Sequence, residues 1–582
     1  MSNNVTSQSG PAYKSVVVEY QDGASSVPVT TGTPLPVSGS LTTNPETPLD
    51  VSVAEPIAIS YKDGSTEIPV TPNEPLPVSI NNVNITLPEA APLPVFQPVS
   101  QGAFGDQIVA NLNQEISLMF NYGIDSDTIR TITSNSASIS ASNSRMLLST
   151  GGTTNSFASV KSRDYLRYRP GFGGLVRFTL GVTTGVAGTE QTAGIGTEEG
   201  GFFFSYRDYV GSLTPDMCIV RRAFGARETR YLTISSGSSS AGNVTITLNG
   251  SVFTVAVSNN SGAINQTATN IATNFSSSEW TATAYGNIVC FRAISAGTRS
   301  GVYSFGAGVT GSAATFSQKV AGAEYTEEVI PRSSWNYDKA DGSGTLPLID
   351  WSKGNIYQIK YQWLGYGMIQ FYIESPQLGR FIRVHAIEYA NSNTLPSVAN
   401  PTFPLYFYAN NGSTTTDVSM FTASCGGFVE GNTSRSVGGN LKTYTTTGSC
   451  NSSGTLLVSL LNPNNFKNKS SRVQISVASV SVSAADAVTF TFYKNASLIG
   501  TSSWTSIGTN SCVLYDEGSS SCSGGELVCA LRAEHQTNNN LQAQDLGVGL
   551  FVIHPNDIIS IVATSDAGTV KIGCSINWVE YL

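Results

Sequence analysis

Residues 355–374 read NIYQIKYQWLGYGMIQFYIE. Tyr357, Ile359, Tyr361 and Trp363 alternate with Gln358, Lys360 and Gln362, the period of two that sends neighbouring side chains to opposite faces of a strand. Gly365-Tyr366-Gly367 then turns the chain into Ile369, Phe371 and Ile373. The stretch predicts an antiparallel hairpin with one buried face. The same period continues upstream. Gly171-Phe172-Gly173-Gly174 reads as a turn, Leu175 to Leu180 as a strand, and Gly200-Gly201-Phe202-Phe203-Phe204-Ser205-Tyr206 as another. A β-sandwich over residues 101–229 and 321–432 follows from this pattern.

Residues 230–320 interrupt it. YLTI, NVTITL and SVFTVAV are strand-like, whereas GAINQTATNIATNF places Ile264, Ala268, Ile271, Ala272 and Phe275 on one helical face. TATAYGNIVCFRAI returns to strands. The expectation is a small α+β module inserted in a sandwich loop; it resembles small modules that recur in virion and tail proteins of large bacteriophages. With this insert removed, RYRPGFGGLVRFTLGV, GIGTEEGGFFFSYRD, WNYDKADGSGTLPLIDWSKGNIYQIKYQWLGYGMIQFYIE and FIRVHAIEYAN resemble the concanavalin/laminin-G type of sandwich. A similar series occurs in β-rich surface, fibre, spike and decoration proteins of tailed phages and large DNA viruses. The likeness spans about a third of the chain and carries no catalytic signature. A final domain at 440–582 reads as a jelly-roll-like β-sandwich, with Val570, Ile572, Cys574, Ile576 and Trp578 alternating along its last strand.

The first hundred residues contain a repeat. VVVEYQDGASSVPVTTGTPLPV at 16–37 returns as IAISYKDGSTEIPVTPNEPLPV at 57–78. Tyr20 matches Tyr61, Asp22-Gly23 matches Asp63-Gly64, and Pro34-Leu35-Pro36-Val37 matches Pro75-Leu76-Pro77-Val78. Each unit predicts strand, Asp-Gly turn, strand and an extended proline segment. These units carry too few large apolar side chains to close a core, so residues 1–100 are expected to be an extended arm that docks outside their own fold. The segment from Gln107 to Phe120 fits either a helix or an irregular strand.

Composition removes several function classes. Only 12% of the 582 residues are charged, about half the usual share of roughly 25%. The net charge of −9 argues against a nucleic-acid surface. No window approaches the roughly 18 apolar residues of a membrane span. Three histidines leave little for His-based catalysis or metal binding, and no cofactor is expected. Eight cysteines occur without a CxxC. Together with an opening that lacks a signal-peptide pattern, they predict buried thiols in a chain that folds in a reducing cytoplasm.

The candidate chemistry is sparse. Glu198-Glu199 and Glu327-Glu328 are adjacent acids, and strand neighbours do not face one another across a sugar as glycoside hydrolysis requires. The E-x-D-x-x-E strand of glycanases resembling this sandwich is missing. Asp338 and Asp341, with Asp350 beyond them, are weak calcium candidates beside a Gly-Ser-Gly loop; Asx turns are the simpler reading, as for Asp125 and Asp127. His385 is expected on a solvated strand face. Arg163, Arg167, Arg169 and Arg177 form a local basic cluster with Tyr165 and Tyr168, either a solvated sheet edge or a contact for acidic glycan or a neighbouring subunit. Tyr206, Tyr209, Trp335, Tyr337 and Tyr366 are the aromatic candidates for stacking on a carbohydrate or receptor. These readings converge on a non-enzymatic virion structural protein. It would be a homo-oligomer, trimeric by analogy with fibres, assembled in the host cytoplasm and held by its arm to capsid, vertex or tail proteins. Its sandwiches would decorate the particle or engage host surface glycan. A carbohydrate-active enzyme and a secreted adhesin are the alternatives.

Overall fold

The computed structural model describes residues 112–431, 440–534 and 551–581, with the backbone of the short strands Glu19–Asp22, Ser25–Pro28, Ser60–Asp63, Thr66–Pro69 and Gln542–Gln544. The chain divides into two compact units, Met1–Pro98 and Val99–Leu582.

In the first unit, each repeat forms an antiparallel hairpin. Tyr20 lies opposite Val27 and Asp22 opposite Ser25; Tyr61 lies opposite Ile68 and Asp63 opposite Thr66. Each aspartate is the last paired residue of its strand, so the two positions between the strands are Gly23-Ala24 and Gly64-Ser65 rather than the expected Asp-Gly. Pro34, Leu35, Pro36, Val37, Pro75, Leu76, Pro77 and Val78 lie outside the described residues, as do the side chains of Tyr20 and Tyr61.

The second unit is nearly all β, as the sequence predicts. Its first layer pair is a sandwich. One sheet has seven strands, ordered Thr326–Pro331, Ser212–Ala223, Gly200–Tyr209, Glu190–Thr197, Leu405–Asn410, Phe157–Ser162 and Ile129–Ser134. The facing sheet has nine. Phe381–Ile387, Ile369–Glu374, Asn355–Tyr361 and Gly173–Val182 follow in order; beyond them Ser424–Glu430 and Leu112–Met119 pair onward from the long central strand. From Leu112 to Met119 the segment at 107–120 is a strand, with Ile116 and Leu118 buried and Ser117 and Met119 exposed.

The 355–374 hairpin forms as read, Tyr361 pairing with Ile369 and Tyr357 with Ile373. Tyr357, Ile359, Ile369, Phe371 and Ile373 have no exposed surface. The opposite face is not solvated throughout. Gln358 is buried and accepts a hydrogen bond from Arg177 Nε at 2.9 Å, while Lys360 pairs with Glu430. Between the sheets the core is aromatic. Phe204 of the seven-stranded sheet meets Tyr357 at 4.8 Å, Phe371 at 5.4 Å and Phe178 at 6.5 Å between ring centroids, mostly edge-on or tilted. Gly174 leaves room for one more ring: a Cβ there would lie 2.6 Å from the Tyr361 ring opposite it.

The insert leaves the seven-stranded sheet between two neighbouring strands, where Ala223 pairs with Thr326. It contains a four-stranded sheet, a three-stranded sheet and the helix Ile264–Asn274. Ala268 and Ile271 of the helix are fully buried, with Ile264, Ala272 and Phe275 packed beside them, the face the spacing predicts. The C-terminal region is a second sandwich of five- and six-stranded sheets. Val570, Ile572, Cys574, Ile576 and Trp578 all point into its core.

His385 corrects one expectation. Its strand carries a bulge, with Phe371 opposite His385 but Tyr372 opposite Arg383, so strict alternation fails there. The imidazole is 7% exposed, its Nδ1 accepts the Asn336 N–H, and burial pushes its pKa down to about 4.

Because Phe204 joins both layers, Phe204→Ala should cost about 3–5 kcal/mol of unfolding free energy. Ile356→Ala, at a position 38% exposed on the same sandwich, should stay within about 1 kcal/mol. Chemical denaturation of both variants checks the contrast.

Candidate functional site

The residues singled out from sequence scatter. Trp335 is 3% exposed and packs edge-on to Phe204, so it belongs to the core and offers no sugar platform. Tyr206 is half-buried at the rim of the same core. Tyr209 closes the turn toward Ser212. Tyr337 lies under the Arg383 guanidinium at 3.7 Å, and Tyr366 donates its hydroxyl to Thr394 O at 2.8 Å. The ring partners of these residues are Phe204, Arg383 and Tyr389 rather than one another.

Asp338 is buried and accepts the backbone N–H groups of Ala340, Thr345 and Leu346. Asp341 accepts from Ser343, Asp350 from Ser352, and Asp125 from the Asp127 N–H, all Asx-type turns. Among the described residues, no group of three or more His, Cys, Asp or Glu side chains is placed to hold a metal ion. All eight cysteines are free and six are buried. Burial pushes the Cys218 and Cys574 thiols up to about 12, which keeps them unreactive.

The basic cluster is not a solvated edge. Arg167 and Arg169 both reach Glu115, at 3.6 and 3.4 Å, and Arg167 stacks on Tyr581 of the C-terminal sandwich at 3.9 Å. Arg163 pairs with Asp557, also in that sandwich. Arg163 and Arg167 therefore face another part of the same chain, whereas Arg169 and Arg177 stay within the first sandwich, Arg177 on Gln358.

That junction holds the densest chemistry in the described residues. Glu198 and Glu199 occupy the turn between Glu190–Thr197 and Gly200–Tyr209, at one end of the first sandwich. Glu199 is almost fully buried. It accepts hydrogen bonds from the Arg227 backbone N–H at 3.1 Å, on the chain leading into the insert, from Arg292 Nη2 at 3.2 Å within the insert, and from Ser470 Oγ at 2.6 Å in the C-terminal sandwich. Arg472 Nη2 of that sandwich stands 3.6 Å away and also binds Thr197 Oγ1. Lys161 Nζ grips both oxygens of Glu198 at 2.7 and 2.9 Å. Burial works to raise the Glu199 pKa; the guanidinium groups of Arg292, Arg227 and Arg472 overrule it and hold the carboxyl down at about 2. Glu198, beside Lys161 and Arg227, and Glu190, beside Arg222 and Arg207, are likewise held at about 2.

Beside Glu198 and Glu199 lies a cavity of about 580 Å³, lined from the first sandwich, the insert and the C-terminal sandwich. Arg163 and the Glu198-Glu199 pair stand out in the sequence, whereas Lys161, Arg227, Arg292 and Arg472 do not. The available signal was a lone cation inside an apolar strand, as Arg292 is in IVCFRA. In so charge-poor a chain, such a residue implies a buried partner.

No protein-family model matches the sequence, and no curated protein matches it. Among solved structures, a legume lectin-like domain from Entamoeba histolytica is similar at 9% identity and a TM-score of 0.23, covering 53% of this chain and 95% of that one. Peanut lectin with a nine-residue peptide is similar at 10% identity and a TM-score of 0.23, covering 54% and 97%. A triple jelly-roll protein of an archaeal virus turret assembly is similar at 8% identity and a TM-score of 0.15, covering 79% and 90%.

The three glutamates set an acid response. Their folded pKa values lie below the unfolded value of about 4.3, so their contribution is present above that value and is lost as pH falls through it toward about 2. Thermal unfolding should therefore show a midpoint that drops steadily from roughly pH 4.5 to pH 2. Glu199→Gln should cost about 3–5 kcal/mol at neutral pH, because it leaves buried cations without their counter-charge. It should also make the acid slope shallower; an unchanged slope would contradict the assignment.

Proposed function

We propose that the chain is a non-enzymatic structural subunit of a virion surface, a fibre, spike or decoration protein. The observation that carries this reading is what the buried charges do. Glu190, Glu198 and Glu199 are all held ionised by cations, whereas a glycosidase must keep one carboxyl protonated near neutral pH. Glu327 and Glu328 are likewise paired, with Arg222 and Arg221. The Glu199 contacts thus join β modules into one body, while the Glu190 and Glu327 pairs brace the first sandwich.

The N-terminal repeats supply the attachment side of the proposal. A two-stranded hairpin is marginal by itself in water, and each repeat hairpin has strands of four residues. Such strands gain stability by pairing with an edge on another chain, the β-augmentation mode. Capsid, vertex or tail proteins are the partners in this reading. Sister copies, three in the favoured arrangement, would multiply weak contacts between the outward sandwiches and host glycan. Free thiols throughout fit assembly in the host cytoplasm.

Removal of residues 1–98 should leave the body folded, with an unchanged thermal midpoint. The truncated chain should sediment as a monomer and fail to co-sediment with assembled particles, whereas the full chain sediments as a trimer and does so. Equal particle association by both forms would sink the anchoring role. Release of reducing ends from a polysaccharide, abolished by Glu199→Gln in protein that remains folded, would sink the non-enzymatic one.

A further inference from the structure

The cavity at the three-module junction has an unbalanced lining. Six cations border it: Arg130, Lys161, Arg163, Arg227, Arg292 and Arg472. Only three carboxylates do, Glu198, Glu199 and Asp557. Those three are already shared, Glu199 among three arginines, Glu198 between Lys161 and Arg227, and Asp557 with Arg163. Arg130 has a backbone carbonyl, that of Pro555, as its hydrogen-bond partner.

Donors are in surplus as well as charge. The Nε–H groups of Arg163, Arg227 and Arg292 are buried without a hydrogen-bond partner among the described residues. Threonines also line the wall; the Thr269 and Thr281 hydroxyls donate to the carbonyls of Asn265 and Arg292, which leaves Thr131 and Thr283 to add donors. Burial, helped by Arg292, lowers the Arg227 pKa, and burial takes Lys161 down to about 8 despite its bond to Glu198. An uncompensated buried ion costs several kcal/mol. The arrangement calls for a counter-charge supplied from outside the chain.

We propose that this cavity is a binding site for a tetrahedral oxyanion, a sulfate or phosphate group. Guanidinium forks match the oxygen spacing of such groups and bind them in pairs of hydrogen bonds, and hydroxyls complete the donor set. The volume of about 580 Å³ exceeds what a bare ion fills and lies within the range of small-molecule sites of about 300–1,000 Å³. The group therefore either enters free, with water, or is carried as a substituent on a sugar. The inference stands apart from the virion reading, since a junction anion would stabilise this body whatever the body serves.

The test uses the full chain. Thermal unfolding is measured in sodium sulfate, sodium phosphate and sodium chloride at equal ionic strength, and equilibrium dialysis with radiolabelled sulfate gives the stoichiometry. The expected result is a midpoint a few degrees higher in sulfate or phosphate than in chloride, with one saturable site per chain. Arg130→Gln, which removes charge without breaking a carboxylate ion pair, though it removes a cation near Asp557, and Lys161→Gln should each bind sulfate about tenfold more weakly or worse, the loss of one charge-assisted bond. Their unfolding in chloride shows that they remain folded. A sulfated oligosaccharide and its desulfated counterpart form the second arm. Binding of the sulfated form alone supports the site and identifies a carried group; sulfate binding with neither oligosaccharide supports it and identifies the free ion. Equal midpoints in sulfate and chloride, or sulfate affinity unchanged in both variants, would overturn the proposal.

Discussion

One buried carboxylate holds the larger unit together. Glu199 comes from a turn of the first sandwich, and its partners come from the insert, the chain leading into it and the C-terminal sandwich. None of these groups is tolerable in an apolar interior alone, because the desolvation of each must be met by the others. The modules are therefore interdependent at this point. Apolar packing adds to the join: Tyr231, Tyr285 and Cys290 of the insert form a small core with Leu461 and Ile558. Asn265 on the insert's helix exchanges hydrogen bonds with Ser502 across the same boundary. Hydrophobic contact supplies adhesion there, and the ionic hub fixes orientation.

This division explains where the few charges of the chain are used. A surface rich in Ser, Thr, Asn and Gly stays hydrated without charge, so ionic side chains are not needed for solubility. Some brace a single sandwich, as Arg222 does with Glu190 and Glu327, and others collect where separate cores abut. Arg472 shows the economy of the arrangement. It binds Glu199, Thr197 and the carbonyls of Asn400 and Thr402, and lies over the Phe403 ring. One side chain thereby touches several segments of the first sandwich, which a lysine with its single point charge would not.

What the sequence disclosed follows the range of the forces involved. The 355–374 hairpin, the insert's helix, the paired Asp-Gly hairpins and the alternating last strand are set by neighbours within a few residues, and periodicity reports them. Trp335 escaped because an aromatic in a loop-like stretch reads as exposed until the strand that covers it is known. His385 escaped because a bulge resets the count of two. The junction escaped for a deeper reason. Glu199 and Ser470 are 271 positions apart, and no local pattern records a partner at that distance. Even so, cations embedded in apolar strands were visible, and their desolvation cost is the signal that a single sequence offers.

The insert emerges between two strands that are themselves paired, Ser212–Ala223 and Thr326–Pro331. Zipping that pair in an unfolded chain means closing a loop of about a hundred residues, against an entropy that grows with the logarithm of its length. Once the insert has folded, the bridge between Ala226 and Ala323 already holds its two ends side by side, and the remaining gap shrinks to a few residues. The nested module is thus a clasp whose own maturation licenses the edge of its host. A substitute domain would need termini at the same separation and, besides, a cation in the place of Arg292 to meet the buried Glu199.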